Sequence, residues 1–150
     1  MPAARPDAER LAVWRSFLVA HARVTELLDA ELRERHDLPL AWYDVLVQLS
    51  EAGGDLTMST LAERVLLSRS NCTRLVDRMQ RDGLVERRPD PDDHRRVHAV
   101  LTTDGKAMLR RAARTHLAGI DRWFTSALDE GAGTAIGPAL DEISRRASDG

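Results

Sequence analysis

Apolar positions recur with a helical period at both ends of this chain and change to a strand-like pattern only near residues 84–101. The first run places Leu11, Trp14, Leu18, His21, Thr25, Leu28 and Leu32 at alternating steps of three and four. Val13, Phe17, Val24 and Leu27 add a second apolar strip, wider than one neighbouring helix can cover, which predicts two packing surfaces. A second helix is predicted over Leu40–Leu49, with Trp42, Val45, Leu46 and Leu49 on one face. Its other side, Leu40, Tyr43 and Val47, is apolar too and includes Asp44. After the loop Gly53-Gly54-Asp55 comes a short helix over residues 59–65, with Ser59 as its cap. Only Leu66 and Leu67 separate it from Ser68, the expected N-cap of a further helix striped by Cys72, Leu75, Val76 and Met79.

Gly83 ends that helix, and Leu84–Arg88 reads as a strand. Pro89-Asp90-Pro91-Asp92-Asp93 breaks the regular structure, and Val97–Leu101 reads as the returning strand. Thr102 caps a long helix from about Thr103 that carries Leu109, Ala112, Ala113, Leu117, Ile120, Trp123, Phe124, Ala127 and Leu128. Gly131-Ala132-Gly133 reads as a hinge before a last helix marked by Ile136, Leu140 and Ile143. The predicted class is mainly α with a small β-hairpin wing.

Two short helices joined by so tight a turn must cross steeply, as in a helix-turn-helix. Such turns usually carry glycine, and Leu66 stands in its place with less freedom in φ. The second helix leaves Ser70, Asn71, Thr73, Arg74, Asp77 and Arg78 on its outer arc, a set of short hydrogen-bonding groups and arginines suited to phosphates and base edges. By itself that helix reads better as a solvated charged surface. The hairpin that follows it, with Arg95 and Arg96 at the tip, makes DNA the expected partner, because arginine on a thin hairpin can enter an electronegative minor groove.

These residues resemble the MarR family of bacterial transcriptional regulators. The resemblance lies in Leu61-Ala62-Glu63-Arg64, Thr73–Met79, Gly83–Arg87, Asp90–Arg95, and Leu101-Thr102 followed by Gly105. It implies a single domain over residues 1–150. The winged helix-turn-helix core would occupy about 38–101, with dimerisation helices at about 7–36 and 103–147. It also implies a DNA-contacting set of Ser68, Arg69, Ser70, Asn71, Thr73, Arg74, Arg78, Arg95 and Arg96, with Arg95 in the minor groove and Asp93 bracing the wing. A narrower resemblance, to the urate-responsive members, makes Trp14, Asp44, Arg74 and Arg87 candidate ligand residues, although the extra N-terminal helix of some of those members is missing. In that group an anionic planar ligand disturbs the Asp and Arg contacts that hold the recognition helix.

Charge modifies this picture. Residues 69–96 hold eight arginines and six acids, a local balance of +2 in a chain of net charge −2, which leaves −4 for the rest. Geometry rather than bulk charge must therefore deliver recognition. Asp77 lies within a turn of Arg74 and Arg81 and is expected to hold them. Asp44, a carboxylate in apolar surroundings, requires a partner: an arginine from the DNA-binding lobe, or a ligand. A lone cysteine, Cys72, excludes an internal disulfide and is compatible with the cytoplasm; on the apolar stripe it reads as core rather than redox sensor. His94 and His98 lie four apart, but on a turn and strand, where that spacing does not converge as on a helix, so zinc held with Asp92 and Asp93 is the minor alternative and no metal is expected; His21, His36 and His116 form no cluster by spacing. No catalytic motif, cofactor loop or membrane span is visible, so neither an enzyme nor a membrane partner is expected. The expected function is a homodimeric repressor on a pseudo-palindromic double-stranded operator, released by a small anionic or aromatic effector such as urate. The alternatives are a constitutive or architectural DNA binder without effector, and an enzyme or protein-interaction module built on the same helices.

Overall fold

The computed structural model describes residues 5–149. Helix α1 (Ala8–His36) starts where the Asp7 carboxylate accepts the Arg10 N–H at 2.8 Å. It stops at Asp37, whose left-handed φ of 52° turns the chain into α2 (Leu40–Glu51). Gly53 and Gly54, both at positive φ, lead into a three-residue strand, β1 (Asp55–Thr57), that the sequence pattern did not reveal. Helices α3 (Met58–Arg64) and α4 (Arg69–Arg81) follow, then strands β2 (Val85–Pro89) and β3 (Val97–Leu101). The chain closes with α5 (Thr103–Trp123), a 3-10 turn (Thr125–Ala127) and α6 (Glu130–Ser148); α5 stops short of the expected Ala127 and Leu128 because Phe124 leaves the helical conformation at a φ of −129°.

The three strands form one antiparallel sheet in the order β1-β3-β2. Pro89 ends β2 opposite Val97, one residue later than the sequence suggested. This is harmless because β2 is an edge strand, where a missing N–H breaks no inner ladder. Thr57, not Ser59, caps α3: its hydroxyl accepts the Thr60 N–H at 3.3 Å. The reason is that β1 delivers Thr57 in the extended conformation an N-cap needs. Gly131 and Gly133 lie in the first turns of α6, capped by Asp129, so they are no hinge; the 3-10 turn breaks the chain there instead.

The core joins α1, α2, α3, α4 and the sheet. Leu32, Leu38, Leu46, Leu49, Leu61, Val76, Met79 and Val85 are fully buried within it. Helix α5 enters this core at a point where only glycine is tolerated, since a Cβ on Gly105 would lie 2.1 Å from the Leu84 carbonyl oxygen. Further along, Gly119 lets α5 close on Leu28 and Glu31 of α1. Glu31 then accepts hydrogen bonds from Arg122 Nη1 at 2.7 Å and Trp123 Nε1 at 2.8 Å. Helix α6 has no buried residue.

Candidate nucleic-acid interface

The α3–α4 turn forces Leu66 to a φ of 57°, with its side chain 89% exposed. A branched residue in that region costs about 1–2 kcal/mol, so the tight crossing of the two helices is held against local strain. Two groups make it pay off. Leu67 N–H closes back on the Ala62 carbonyl at 3.0 Å. Ser68 Oγ then accepts the Asn71 N–H at 3.2 Å and starts α4. Cys72, Val76 and Met79 are fully buried and fix which arc of α4 faces out. Arg69, Ser70, Asn71, Arg74 and Arg78 are exposed on that arc, and Thr73, half-buried, bonds its hydroxyl to the Arg69 carbonyl at 2.9 Å. Burial pushes the Cys72 thiol up, which suits an inert core position.

The orientation of α4 is fixed by Arg87 on β2. Arg87 Nη1 donates to Asp77 at 2.7 Å, and the Arg87 backbone N–H donates to Gln80 Oε1 at 2.7 Å. Asp77 thus holds Arg87 rather than Arg74 or Arg81. Intrahelical spacing pointed to the wrong partners because β2 brings a better-placed guanidinium. Gln80 was missed entirely; a polar residue on a helix carries no signal of a bond to a strand seven residues on. Arg87 Nε is buried without a partner.

In the wing, Asp90 Oδ1 accepts the N–H groups of Asp92 and Asp93 at 2.8 and 3.1 Å. Asp93 Oδ1 accepts both the backbone N–H and Nε of Arg95, at 3.0 and 3.3 Å, and Arg96 Nε lies 3.9 Å from its other oxygen. Arg95 is 92% exposed beyond that contact. A cleft of about 310 Å³ between α4 and the wing gathers Arg69, Arg87, Arg95 and Arg96 with the hydroxyls of Thr57, Ser59 and Thr73. Cationic donors and short hydroxyls lining one concave face are what a phosphate backbone requires.

The candidate ligand residues are dispersed. Trp14 is exposed on α1, its ring centroid 5.9 Å from that of Phe17. Arg74 is exposed on α4, and Arg87 is engaged by Asp77. Among the described residues Asp44 forms no ion pair within 4 Å, so it does not take up either arginine within one chain. Burial raises its carboxyl, against a hydrogen bond from Gln48 and the charge of His116. The Tyr43 and His116 rings lie 4.4 Å apart, burial lowers the His116 pKa, and its Nδ1 is buried without a partner. This Tyr43–Asp44–His116 group, joining α2 to α5 across the sequence, was invisible to spacing. His36 is separate and bonds Thr115 Oγ1 at 2.8 Å. His98 does not meet His94; it meets Asp55 and Asp90. Among the described residues no group of three ligand-type side chains is placed to hold a metal ion.

A recognition helix with an outward polar arc, followed by an arginine-tipped hairpin, has matches among known proteins. The MarR family profile matches residues 36–96. An HTH-type transcriptional regulator of Bacillus cereus is 30% identical over 113 residues, covering 75% of this chain and 74% of its own. The chain belongs to the MarR family. The MarR regulator AbsC of Streptomyces coelicolor superposes with a TM-score of 0.90 at 29% identity, covering 99% of this chain and all of AbsC. A second MarR regulator from the same organism, solved in complex with DNA, also reaches 0.90 at 29% identity, over 96% of this chain and 91% of its own. This chain is therefore a DNA-binding transcriptional regulator with a winged helix-turn-helix, and not an enzyme. Among the described residues, no helix is long and apolar enough to cross a membrane.

Proposed function

We propose that this MarR regulator is a cytoplasmic homodimer that represses transcription by occupying a pseudo-palindromic operator. The observation that carries the reading is the convergence of α4 and the wing on one arginine-lined cleft. In this reading α4 enters the major groove with Ser68, Arg69, Ser70, Asn71, Thr73, Arg74 and Arg78. Arg95, with Arg96 beside it, reaches the minor groove, positioned by Asp93. The reading core spans about 38–101. The helices at about 7–36 and 103–147 dimerise, supported by the exposed Leu11, Trp14, Leu117, Trp123, Ile136 and Ile143. Two-fold symmetry then sets half-sites about one helical turn apart. A dimer seated across a promoter represses by excluding polymerase.

Release comes from a small anionic or aromatic ligand, urate being one of the class. The support is chemical: Arg87 has an unused Nε donor, and its other contact is the one that holds α4 through Asp77. An anion drawing on Arg87 would free Asp77 and let the recognition helix move. Trp14 offers a flat wall, and Asp44 beside His116 offers a second polar site in apolar surroundings. The test is a mobility shift with DNA flanking the chain's own gene, repeated with urate and simple aromatic acids. A shift abolished by such an anion supports repressor and effector together. A shift indifferent to all of them supports a constitutive binder, and no shift at all removes an operator beside the chain's own gene.

A further inference from the structure

One side chain fastens the wing to the far strand of the sheet. His98, in the central strand β3, has both ring nitrogens on carboxylates: Nδ1 lies 2.6 Å from Asp55 Oδ1 on β1, and Nε2 lies 2.9 Å from Asp90 Oδ2 at the root of the wing. An ionised carboxylate can only accept, so both nitrogens must donate, and only the imidazolium carries two N–H groups. Asp90 is in turn locked into the wing by the Asp92 and Asp93 N–H groups, and its own N–H donates to the Arg96 carbonyl at 3.0 Å. An unbroken path runs from β1 through Asp55, His98 and Asp90 to Asp93 and Arg95.

We infer that His98 is a positioning residue for the wing that works in its protonated form, so that operator binding weakens as pH rises and the proton leaves. The inference rests on the reading of Arg95 as a DNA contact. When the ring becomes neutral, one nitrogen turns a lone pair toward a carboxylate and that contact must part. Asp55, 56% exposed against 15% for Asp90 and held by no backbone N–H of a turn, is the partner that leaves. The hairpin then keeps its own turn but loses its side-chain tie to β1.

The charges around His98 agree with this. Arg88 sits directly across from it on β2, but Arg88 is taken by Glu86 at 2.8 Å. The helices packed against β3 carry Asp44 and Glu51 on α2 and Glu63 and Arg64 on α3, and none of them pairs with His98. The Asp90 and Asp55 carboxylates raise the His98 pKa above its usual 6.5, and His98 with the two turn N–H groups draws Asp90 down to about 2. A raised histidine contributes stability that is complete below 6.5 and lost as pH climbs through the folded value; a lowered carboxylate contributes above 3.8 and is lost only near 2. The tie is thus closed in mildly acid solution and opens on the alkaline side.

The test measures operator affinity of the full-length protein from pH 6 to pH 9 at constant salt, for wild type, His98→Gln, Asp55→Asn, His94→Gln and Arg95→Ala. Wild type should lose about three- to tenfold across that range, the size expected when one charge-assisted hydrogen bond that positions the wing parts. His98→Gln should bind more weakly at pH 6 and show a flat profile. Asp55→Asn should stay near the wild-type acid-side affinity and also be flat, because an amide can donate to a neutral ring. His94→Gln should keep the wild-type slope. A wild-type slope retained in both His98→Gln and Asp55→Asn overturns the role of His98. Unchanged affinity in Arg95→Ala overturns the wing contact instead, a separate result. If His98→Gln fails to fold, Asp55→Asn decides the question alone.

Discussion

The reading lobe and the terminal helices solve opposite packing problems. Between α2 and β3 nearly every large apolar side chain is inside: Leu46, Leu49, Leu61, Val76, Met79 and Val85 show no exposure, and Leu66 is the one exposed large hydrophobic. In α1, α5 and α6 the pattern inverts. Trp14 is 56% exposed, Leu117 62% and Ile143 63%, and α6 buries nothing. One region is finished within a single chain; the other has the composition of a core and lacks its second half. In the proposed dimer a two-fold interface completes it and would place two finished reading lobes at a fixed spacing.

The largest effect expected is on the finished lobe. Leu46→Ala should cost about 2–5 kcal/mol in denaturant unfolding, as cavities in close-packed cores do. A variant within 1 kcal/mol of wild type would mean the lobe is not the seat of stability. Next is the unfinished region: Ile143→Glu should shift the mass measured by light scattering toward the monomer while circular dichroism keeps the helical signal. An unchanged dimer would remove α6 from the interface. On the reading face, Arg74→Ala should lose about 1–3 kcal/mol of operator affinity, and binding at wild-type strength would show that the outer arc of α4 is assigned wrongly. Arg95→Ala should lose less, about 1 kcal/mol, with the salt slope reduced by about one and dimerisation intact. An unaltered salt slope would take the wing away from the phosphates and the minor groove.

The contrast between the lobes was largely legible in the chain. Leu11 to Leu32 in α1 and Cys72 to Met79 in α4 announce helices because long amphipathic segments repeat their signal many times. Ser68, Thr102 and Gly83 mark helix ends through local chemistry that the final fold leaves intact. What escaped the sequence depends on contacts between distant segments. β1 is only three residues long and exists because β3 offers it a ladder. Asp77 finds Arg87 on β2 rather than a neighbour on its own helix, Gln80 caps a strand N–H, and Tyr43 lies against His116 of α5. His98 gave no hint of its role, since its two partners stand 43 and 8 residues away.

The central claim is that two reading lobes, set by a dimer, recognise a specific duplex. The direct measurement is fluorescence anisotropy at physiological salt, with stoichiometry, on a duplex from the flanking promoter and on the same bases scrambled. Two chains per duplex are expected, with binding to the promoter tighter by at least about 10³-fold, the usual margin of specific over non-specific complexes. Equal affinity for both duplexes, or a single chain bound at full strength, would contradict it.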